Sequence, residues 1–225
     1  MVNHLRPHSV FNLVKTKTYS RRMMKVVLPD QDAPVLLETA LLLAFAKLVK
    51  PKTFFEFGTF LGVQTLNLAT NLPGKTRLYT LDLDESSLKT LPQDPADAVL
   101  TKKHFCNESR LAFLGTRFAS RITQLYGNSN VFDFSPYAGQ MDMLYIDGGH
   151  DLETLNNDTL NSFRMVSPDR CACVAWHDYG NPAYPQVAEY LDKLSATKKI
   201  YHVEGSWLCF HLHNAPKRLL AGLEA

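Results

Sequence analysis

Several side chains that could move a proton or bind a metal ion stand directly after apolar segments of this sequence. They are Glu56, Asp82, Asn128, Asp147, His150, His177 and Asp178. Imidazole exchanges a proton near neutral pH, and carboxylates and imidazoles are common metal ligands. Because the carboxyl ends of parallel strands open on one edge of a sheet, these residues would meet if the apolar segments are neighbouring strands. Whether these residues can act together in proton transfer or metal binding therefore depends on the strands and helices that position them.

Strand and helix patterns alternate along most of the chain. Strands are predicted over residues 53–57, 77–81, 122–126, 141–146 and 171–176, and helices over residues 36–49, 63–71, 109–118, from about 150 to 164, and 184–194. Residues 199–203 and 207–213 are expected to form an antiparallel hairpin. The pattern predicts an α/β fold: a doubly wound, seven-stranded, mostly parallel sheet with one antiparallel strand in the C-terminal hairpin.

Composition indicates one globular domain of ordinary character. The chain has 225 residues, 45% of them hydrophobic and 20% charged, with a formal net charge of +2. Its four cysteines, at 106, 171, 173 and 209, form no C-x-x-C pair, which favours reduced thiols over a zinc site or disulfides. No apolar run is long enough to span a membrane. We expect a cytoplasmic protein without a membrane partner.

The first thirty residues differ from the rest in charge. Six basic residues and no acidic one precede Asp30. A nucleic-acid or anionic-substrate arm and an organelle transit segment are two interpretations of such a pattern. A solvated lead-in that partly covers the active site is the interpretation we favour. We therefore divide the chain into a basic lead-in, residues 1–30, and a domain, residues 31–225.

The loop after the first predicted core strand could hold a nucleotide-like ligand. Residues 56–62 read E-F-G-T-F-L-G, a strand end and a tight turn before a helix, where backbone N–H groups meet anions or polar ligands. Asp82 follows twenty residues later and could accept from both hydroxyls of a ribose. A dinucleotide fingerprint would need glycine in place of Phe60 and Val63, so a nicotinamide cofactor is disfavoured. A carboxylate at Glu56 suits the ammonium of S-adenosylmethionine.

Three segments together resemble the class I S-adenosylmethionine-dependent methyltransferases. They are residues 56–62, the Y-T-L-D of residues 79–82, and the M-L-Y-I-D-G-G-H of residues 143–150. The similarity is greatest to small-molecule O-methyltransferases of the catechol, caffeoyl-CoA and macrocin or cephalosporin-tailoring types, and it covers about residues 34–213. The resemblance implies a Rossmann-like fold and methyl transfer to a hydroxyl of a small molecule such as a sugar or secondary metabolite.

The resemblance also implies roles for individual residues. Glu56, Gly58, Thr59 and Gly62 would surround the methionine part of the cofactor, Asp82 would hold the ribose, and Asn128 and Ser129 would border the adenine, with Asp147 at the same edge. In metal-dependent members the positions of Asp147, His177 and Asp178 bind a divalent cation. A basic residue at the position of His150 serves as general base in the catechol type.

The chain departs from the metal-dependent pattern at His177, where an oxygen ligand is expected. Imidazole suits zinc, manganese or iron better than magnesium. Either Asp147, His177 and Asp178 bind such a metal, or no metal is bound and His150 or His177 acts as the base. Simpler alternatives are that Asp147 caps a helix, that His150 lies on the surface in a first helical turn, and that His177 only hydrogen-bonds a backbone carbonyl.

Two other functions stay open at this point. Methylation of nucleic acid or protein has only the basic N-terminal segment in its favour, and the N-P-P-aromatic motif of many N-methyltransferases is absent. A catalytically silent S-adenosylmethionine-binding module would keep the loop but not the acid–base residues. We expect a small-molecule acceptor and no nucleic-acid partner, and leave open a homodimer.

Overall fold

A computed structural model describes residues 1–13, 36–84, 87 and 111–223. The eight strands are β1 (Asn3–Leu5), β2 (Thr53–Phe57), β3 (Arg77–Asp82), β4 (Ile122–Tyr126), β5 (Met143–Ile146), β6 (Ala172–Trp176), β7 (Tyr201–Val203) and β8 (Cys209–His213). The helices are α1 (Pro7–Leu13), α2 (Leu36–Val49), α3 (Val63–Asn71), α4 (Leu152–Met165), α5 (Pro185–Leu194) and α6 (Lys217–Leu223). No helix within these ranges is both long and apolar enough to cross a membrane.

The strands form a single sheet in the order β1-β7-β8-β6-β5-β2-β3-β4. All pairings are parallel except those of β8 with β6 and β7. The predicted mostly parallel α/β sheet with one antiparallel strand is confirmed. The predicted number of strands was one too few, because β1 adds a parallel strand beside β7. With only three residues, β1 is too short to show a strand pattern in the sequence.

The first thirteen residues pack onto the domain. Asn3 donates its backbone N–H to Ile200 O at 2.8 Å, and Glu204 donates to Leu5 O at 2.8 Å. Val10 of α1 is buried among side chains of the main core. The predicted lead-in therefore begins with a folded strand and helix. Residues 14–35, which carry most of its positive charge, lie outside the described residues, and the boundary at residue 30 stays a prediction.

Apolar side chains cover both faces of the sheet. In β2, Phe54 packs on one face with α2, whereas Phe55 and Phe57 pack on the other. Residues 41–46 of α2 are all buried, as expected of a helix that is apolar around most of its circumference. Packing on both faces of the sheet fixes the strands and therefore the positions of the residues at their carboxyl ends.

Several predicted elements need correction. The predicted helix over residues 109–118 is wrong for the described part, because residues 111–118 form turns that lead into a short 3-10 segment, Ala119–Arg121. Gly115 has a φ of 74°, which interrupts a helix. Strands β5, β6, β7 and β8 begin one or two residues later than predicted. Residues 109 and 110 of that predicted helix lie outside the described residues.

Candidate active site

The loop after β2 requires glycine at two positions. Gly58 has a φ of 89°, and a Cβ placed there would lie 2.0 Å from the backbone oxygen of Asp147. Gly62, at the start of α3, has a φ of 70°, and a Cβ there would lie 2.7 Å from the ring of Phe113. The loop is therefore pressed against the end of β5 on one side and residues 111–118 on the other. Its conformation depends on both glycines.

Asp82 connects the end of β3 to this loop. Its Oδ2 accepts a 2.7 Å hydrogen bond from the backbone N–H of Phe60, and its Oδ1 accepts one of 2.8 Å from Leu83. Phe60 has a φ of 47°, so the carboxylate helps to hold a loop residue in the left-handed region. A carboxylate oxygen has more than one lone pair, so these bonds leave Asp82 able to accept further donors. Its predicted role at a ribose stays a prediction.

Glu56 faces the protein interior beneath the loop. The hydroxyls of Thr65 and Thr80 donate to its Oε2, and Gln124 and Thr59 extend the hydrogen-bonded chain towards β4. Burial raises the pKa of Glu56 to about 8, although the two threonine hydrogen bonds oppose the shift. The carboxyl group thus joins β2, β3 and α3, and its predicted contact with an ammonium group stays a prediction.

The segment after β4 lies beside the end of β3, because Gly127 donates its backbone N–H to Asp82 O at 2.9 Å. The side-chain oxygen of Asn128 accepts from the backbone N–H of Asn130. The backbone oxygen of Ser129 accepts a 2.8 Å hydrogen bond from Asn157 of α4. The two residues predicted to border an adenine therefore lie at the same sheet edge as Asp82, in a turn held by α4.

Asp178 joins both histidines of the predicted catalytic group. Its Oδ2 lies 2.8 Å from Nε2 of His150 and 2.9 Å from Nδ1 of His177, and its Oδ1 accepts a 2.5 Å hydrogen bond from Asn181. Burial alone would raise the pKa of Asp178, but the hydrogen bonds from the two histidines outweigh it and hold the pKa well below its usual value. Asp178 is therefore an ionised acceptor.

His150 precedes α4 rather than lying in its first turn. The helix begins after Asp151, whose side chain accepts from the backbone N–H of Thr154, so Asp147 is not the helix cap. The His150 ring stacks on Tyr184 with a centroid distance of 3.6 Å and an interplanar angle of 10°. Its side chain is only 11% exposed, which rules out the surface alternative. The stacking and the bond to Asp178 fix the ring orientation.

His177 lies among three carboxylates. Its Nδ1 is 3.2 Å from Oδ1 of Asp147 and close to Asp178, and its Nε2 is 2.8 Å from Oε2 of Glu38. Burial alone would lower the pKa of His177, but the charge of Asp147 and the hydrogen bonds to all three carboxylates raise it well above its usual value. The alternative of a bond to a backbone carbonyl is not what the structure shows.

Glu38 is the site residue that our sequence reasoning missed. It lies in α2, 139 residues before His177, and its Oε1 accepts a 2.6 Å hydrogen bond from the backbone N–H of Trp207. The side chain is almost fully buried. A glutamate within an apolar helix was the available signal, since a buried carboxylate needs partners.

The predicted metal ligands do not fit a common ion. An ionised carboxylate only accepts hydrogen bonds, so a nitrogen of His177 that faces one carries a hydrogen and has no lone pair for a metal. Asp147, His150 and Asp178 do offer ligand atoms within 4.8 Å of one another. The nearest oxygens of both aspartates, however, already face His177. The donor set therefore fits hydrogen bonding better than metal binding.

A family model described as a methyltransferase domain matches residues 55–179, more than half of the chain. The chain belongs to this family. The matched segment contains the glycine loop, Asp82, Asp147, His150, His177 and Asp178. No curated protein sequence matches the chain.

Solved structures with the same fold include several O-methyltransferases. A Staphylococcus aureus protein named as a caffeoyl-CoA O-methyltransferase has a TM-score of 0.56 and 14% identity, over 83% of this chain and 86% of that one. An O-methyltransferase from Bacillus cereus in complex with SAH has a TM-score of 0.53 and 13% identity, over 91% and 89%. TomG of Streptomyces achromogenes, involved in tomaymycin synthesis and solved with SAM, has a TM-score of 0.50 and 17% identity, over 91% and 87%.

These identities establish likeness of fold alone. Together with the family match they confirm the resemblance to the class I methyltransferases that residues 56–62, 79–82 and 143–150 indicated. The chain is thus a methyltransferase with a Rossmann-like fold.

Proposed function

We propose that this enzyme transfers the methyl group of S-adenosylmethionine to a hydroxyl group of a small molecule. The observation that carries the proposal is the position of the His150–Asp178 pair at the same sheet edge as the glycine loop and Asp82. A methyl donor held by the loop would place its reactive carbon beside a histidine that can accept a proton.

The cofactor is proposed to lie across the ends of β2, β3 and β4. Asp82 would accept from the ribose hydroxyls, and Asn128 and Ser129 would border the adenine. Gly58 would keep the loop against the end of β5, beside the proposed position of the methionine part, because a side chain there would collide with the Asp147 backbone. S-adenosyl compounds in solved proteins of this fold support the choice of cofactor.

His150 is proposed to be the general base. Since Asp178 is an ionised acceptor, Nε2 of His150 donates to it, and a neutral ring then carries its lone pair on Nδ1. As the C–S bond of the sulfonium breaks and the O–CH₃ bond forms, Nδ1 takes the hydroxyl proton, and S-adenosylhomocysteine leaves. The protein's main contribution is alignment of the acceptor oxygen with the methyl group.

No step of this mechanism passes through a metal ion. A divalent metal at Asp147, His177 and Asp178 would polarise the acceptor hydroxyl if bound. The hydrogen bonds of His177 to three carboxylates argue against that ligand set. We do not propose His177 as the base, because both of its nitrogens face carboxylates and would each carry a hydrogen.

The acceptor is proposed to be a small hydroxylated molecule. The basic residues that would favour nucleic acid lie mostly at 15–25, outside the described residues, and within the part of the chain that the structure describes no contact favours that alternative. A homodimer and a cytoplasmic location stay predictions.

The proposal is tested by incubating the protein with isotopically methyl-labelled S-adenosylmethionine and sets of catechols, sugars and polyketide alcohols. Mass spectrometry should find the label on oxygen of at least one acceptor, with loss of product in the His150→Gln variant. Label found only on nitrogen of RNA or of protein would contradict the proposal. So would no S-adenosylhomocysteine formation with any acceptor while the protein remains folded.

A further inference from the structure

His177 occupies the centre of a largely buried acidic cluster contributed by three elements. Glu38 comes from α2, Asp147 follows β5, and Asp178 follows His177 at the end of β6. The three carboxylates lie 2.8, 3.2 and 2.9 Å from nitrogens of the imidazole. The rings of Tyr145 and Trp207 face it edge-on at centroid distances of 6.3 and 6.0 Å.

The position of Glu38 decides which partners His177 can have. Glu38 is held by the backbone N–H of Trp207 through Oε1, so its Oε2 is directed to Nε2 of His177. Nδ1 then faces Asp147 and Asp178. With a carboxylate acceptor at each nitrogen, the ring donates on both sides, which is the hydrogen-bonding pattern of an imidazolium.

Glu38 and Asp178 are buried, and Asp147 is 31% exposed. Three carboxylates this close to one another repel unless a cation lies between them, most strongly the buried pair. A divalent metal is one such cation, and a histidine that donates to all three is another. A fixed positive charge within 3.2 Å of the oxygens of Asp147 and Asp178 would in addition repel a metal ion placed between them.

We propose that the Glu38–His177 pair takes the place of a divalent cation in this site. His177 supplies the positive charge between Asp147 and Asp178, and Glu38 is the positioning residue that makes it a donor on both nitrogens. The chain consequently holds its Asp147–Asp178 cluster together without a divalent metal. Any role of this cluster in methyl transfer rests on the proposed function. The absence of a metal can be tested separately, because metal binding is measured without cofactor or acceptor.

The experiment is a calorimetric titration of the EDTA-treated, dialysed protein with Mn²⁺ and, separately, with Zn²⁺. The wild type should show no saturable binding up to about 1 mM, the weak end of the range for protein cation sites. One Mn²⁺ or Zn²⁺ bound per chain at micromolar concentration, and lost in Asp147→Asn, would overturn the proposal. The wild-type titration alone is therefore decisive.

The substitution His177→Asp removes the internal cation and supplies an oxygen donor in its place. It should create a Mn²⁺ site at least about tenfold tighter than any wild-type binding. The matched control is His8→Asp, at an exposed histidine of α1, which should behave like the wild type. A folded His177→Asp protein that binds Mn²⁺ no better than His8→Asp would count against the proposal.

A second measurement examines the hydrogen placement directly, and it does not depend on the stability of His177→Asp. Nitrogen NMR of the histidine rings, with the His177 signals assigned by their loss in His177→Asn, should show a hydrogen on both ring nitrogens at neutral pH. In Glu38→Gln the side-chain amide can donate to Nε2, so that nitrogen should lose its hydrogen. A wild-type His177 with one unprotonated nitrogen would overturn the proposal, whether or not the protein transfers methyl groups.

Discussion

His150 and Asp178, 28 residues apart in sequence, are joined by a 2.8 Å hydrogen bond between Nε2 and Oδ2. In the proposed mechanism this bond determines which nitrogen of His150 takes the proton. Asp178 itself has a φ of 65°, a conformation that asparagine also adopts readily. The pair can therefore be tested by a substitution that keeps the shape of the site.

Asp178→Asn should lower turnover by about 100-fold, because an amide can present its NH₂ to Nε2 and reverse the tautomer of His150. The binding of S-adenosylhomocysteine should change little. Methyl-transfer kinetics and calorimetry on the same preparation check both statements. Asp169→Asn, at an exposed aspartate before β6, is the matched control. Equal turnover in the two variants would remove Asp178 from the mechanism.

His150→Gln should reduce turnover by a factor on the order of 100, the usual contribution of a general base. Its affinity for S-adenosylhomocysteine should stay close to that of the wild type. His213→Gln, at a partly buried histidine at the end of β8, is a control for loss of a histidine elsewhere. A weaker complex with unchanged turnover would instead assign His150 to cofactor binding.

Gly58→Ala should destabilise the protein by at least about 2 kcal/mol, because the residue combines a positive φ with a backbone collision. Cofactor affinity should fall with it, since the loop must move away from Asp147. Urea unfolding and calorimetric titration measure the two effects. Gly74→Ala is the control, as its Cβ would meet open space at ordinary φ. Similar stability of the two variants would show that the loop conformation is different in solution.

Glu56→Gln should change how stability depends on pH. Burial raises the folded-state pKa of Glu56 to about 8, above its ordinary value of 4.5. The folded protein therefore retains a proton that the unfolded chain releases, and the wild type loses stability as pH rises from about 4.5 to 8. Relative to Glu56→Gln, this loss should exceed about 1 kcal/mol.

Urea unfolding at pH 5 and pH 8 compares the two proteins. Glu153→Gln, at an exposed glutamate in the first turn of α4, serves as the control and should follow the wild type. If Glu56→Gln loses stability in parallel with the wild type, Glu56 is ionised in the folded protein throughout this range.

The strands around the site could be predicted from sequence because each is a short apolar run with its polar residue at the end. Parallel strands that are buried on both faces are apolar along their whole length, so each strand and its polar end residue can be recognised in the sequence. Because the predicted sheet is mostly parallel, Asp82, Asp147 and Asp178 were expected at the same sheet edge. β1 was missed because its backbone pairing with β7, rather than a side-chain pattern, makes it a strand. The turns at 111–118 were missed because they are shaped by contact with Gly62.

The chemistry of the site was harder to predict than its location. From the sequence His177 is a candidate base or metal ligand, and its three carboxylate partners are the reason that we propose neither role for it. One of those partners, Glu38, lies far away in sequence and comes to the site through the packing of α2 on the sheet. A histidine at a strand end can be recognised in the sequence, but its hydrogen-bond partners cannot.

We propose that the loop and Asp82 hold S-adenosylmethionine, and calorimetric titration with S-adenosylhomocysteine, with NAD as the competing ligand, is the experiment to make first. We predict one S-adenosylhomocysteine per chain, no NAD, and binding at least about tenfold weaker in Asp82→Ala, because a charged contact to the ribose is lost. Binding of NAD in place of S-adenosylhomocysteine, or unchanged S-adenosylhomocysteine affinity in Asp82→Ala, would show that the loop and Asp82 do not form the cofactor site.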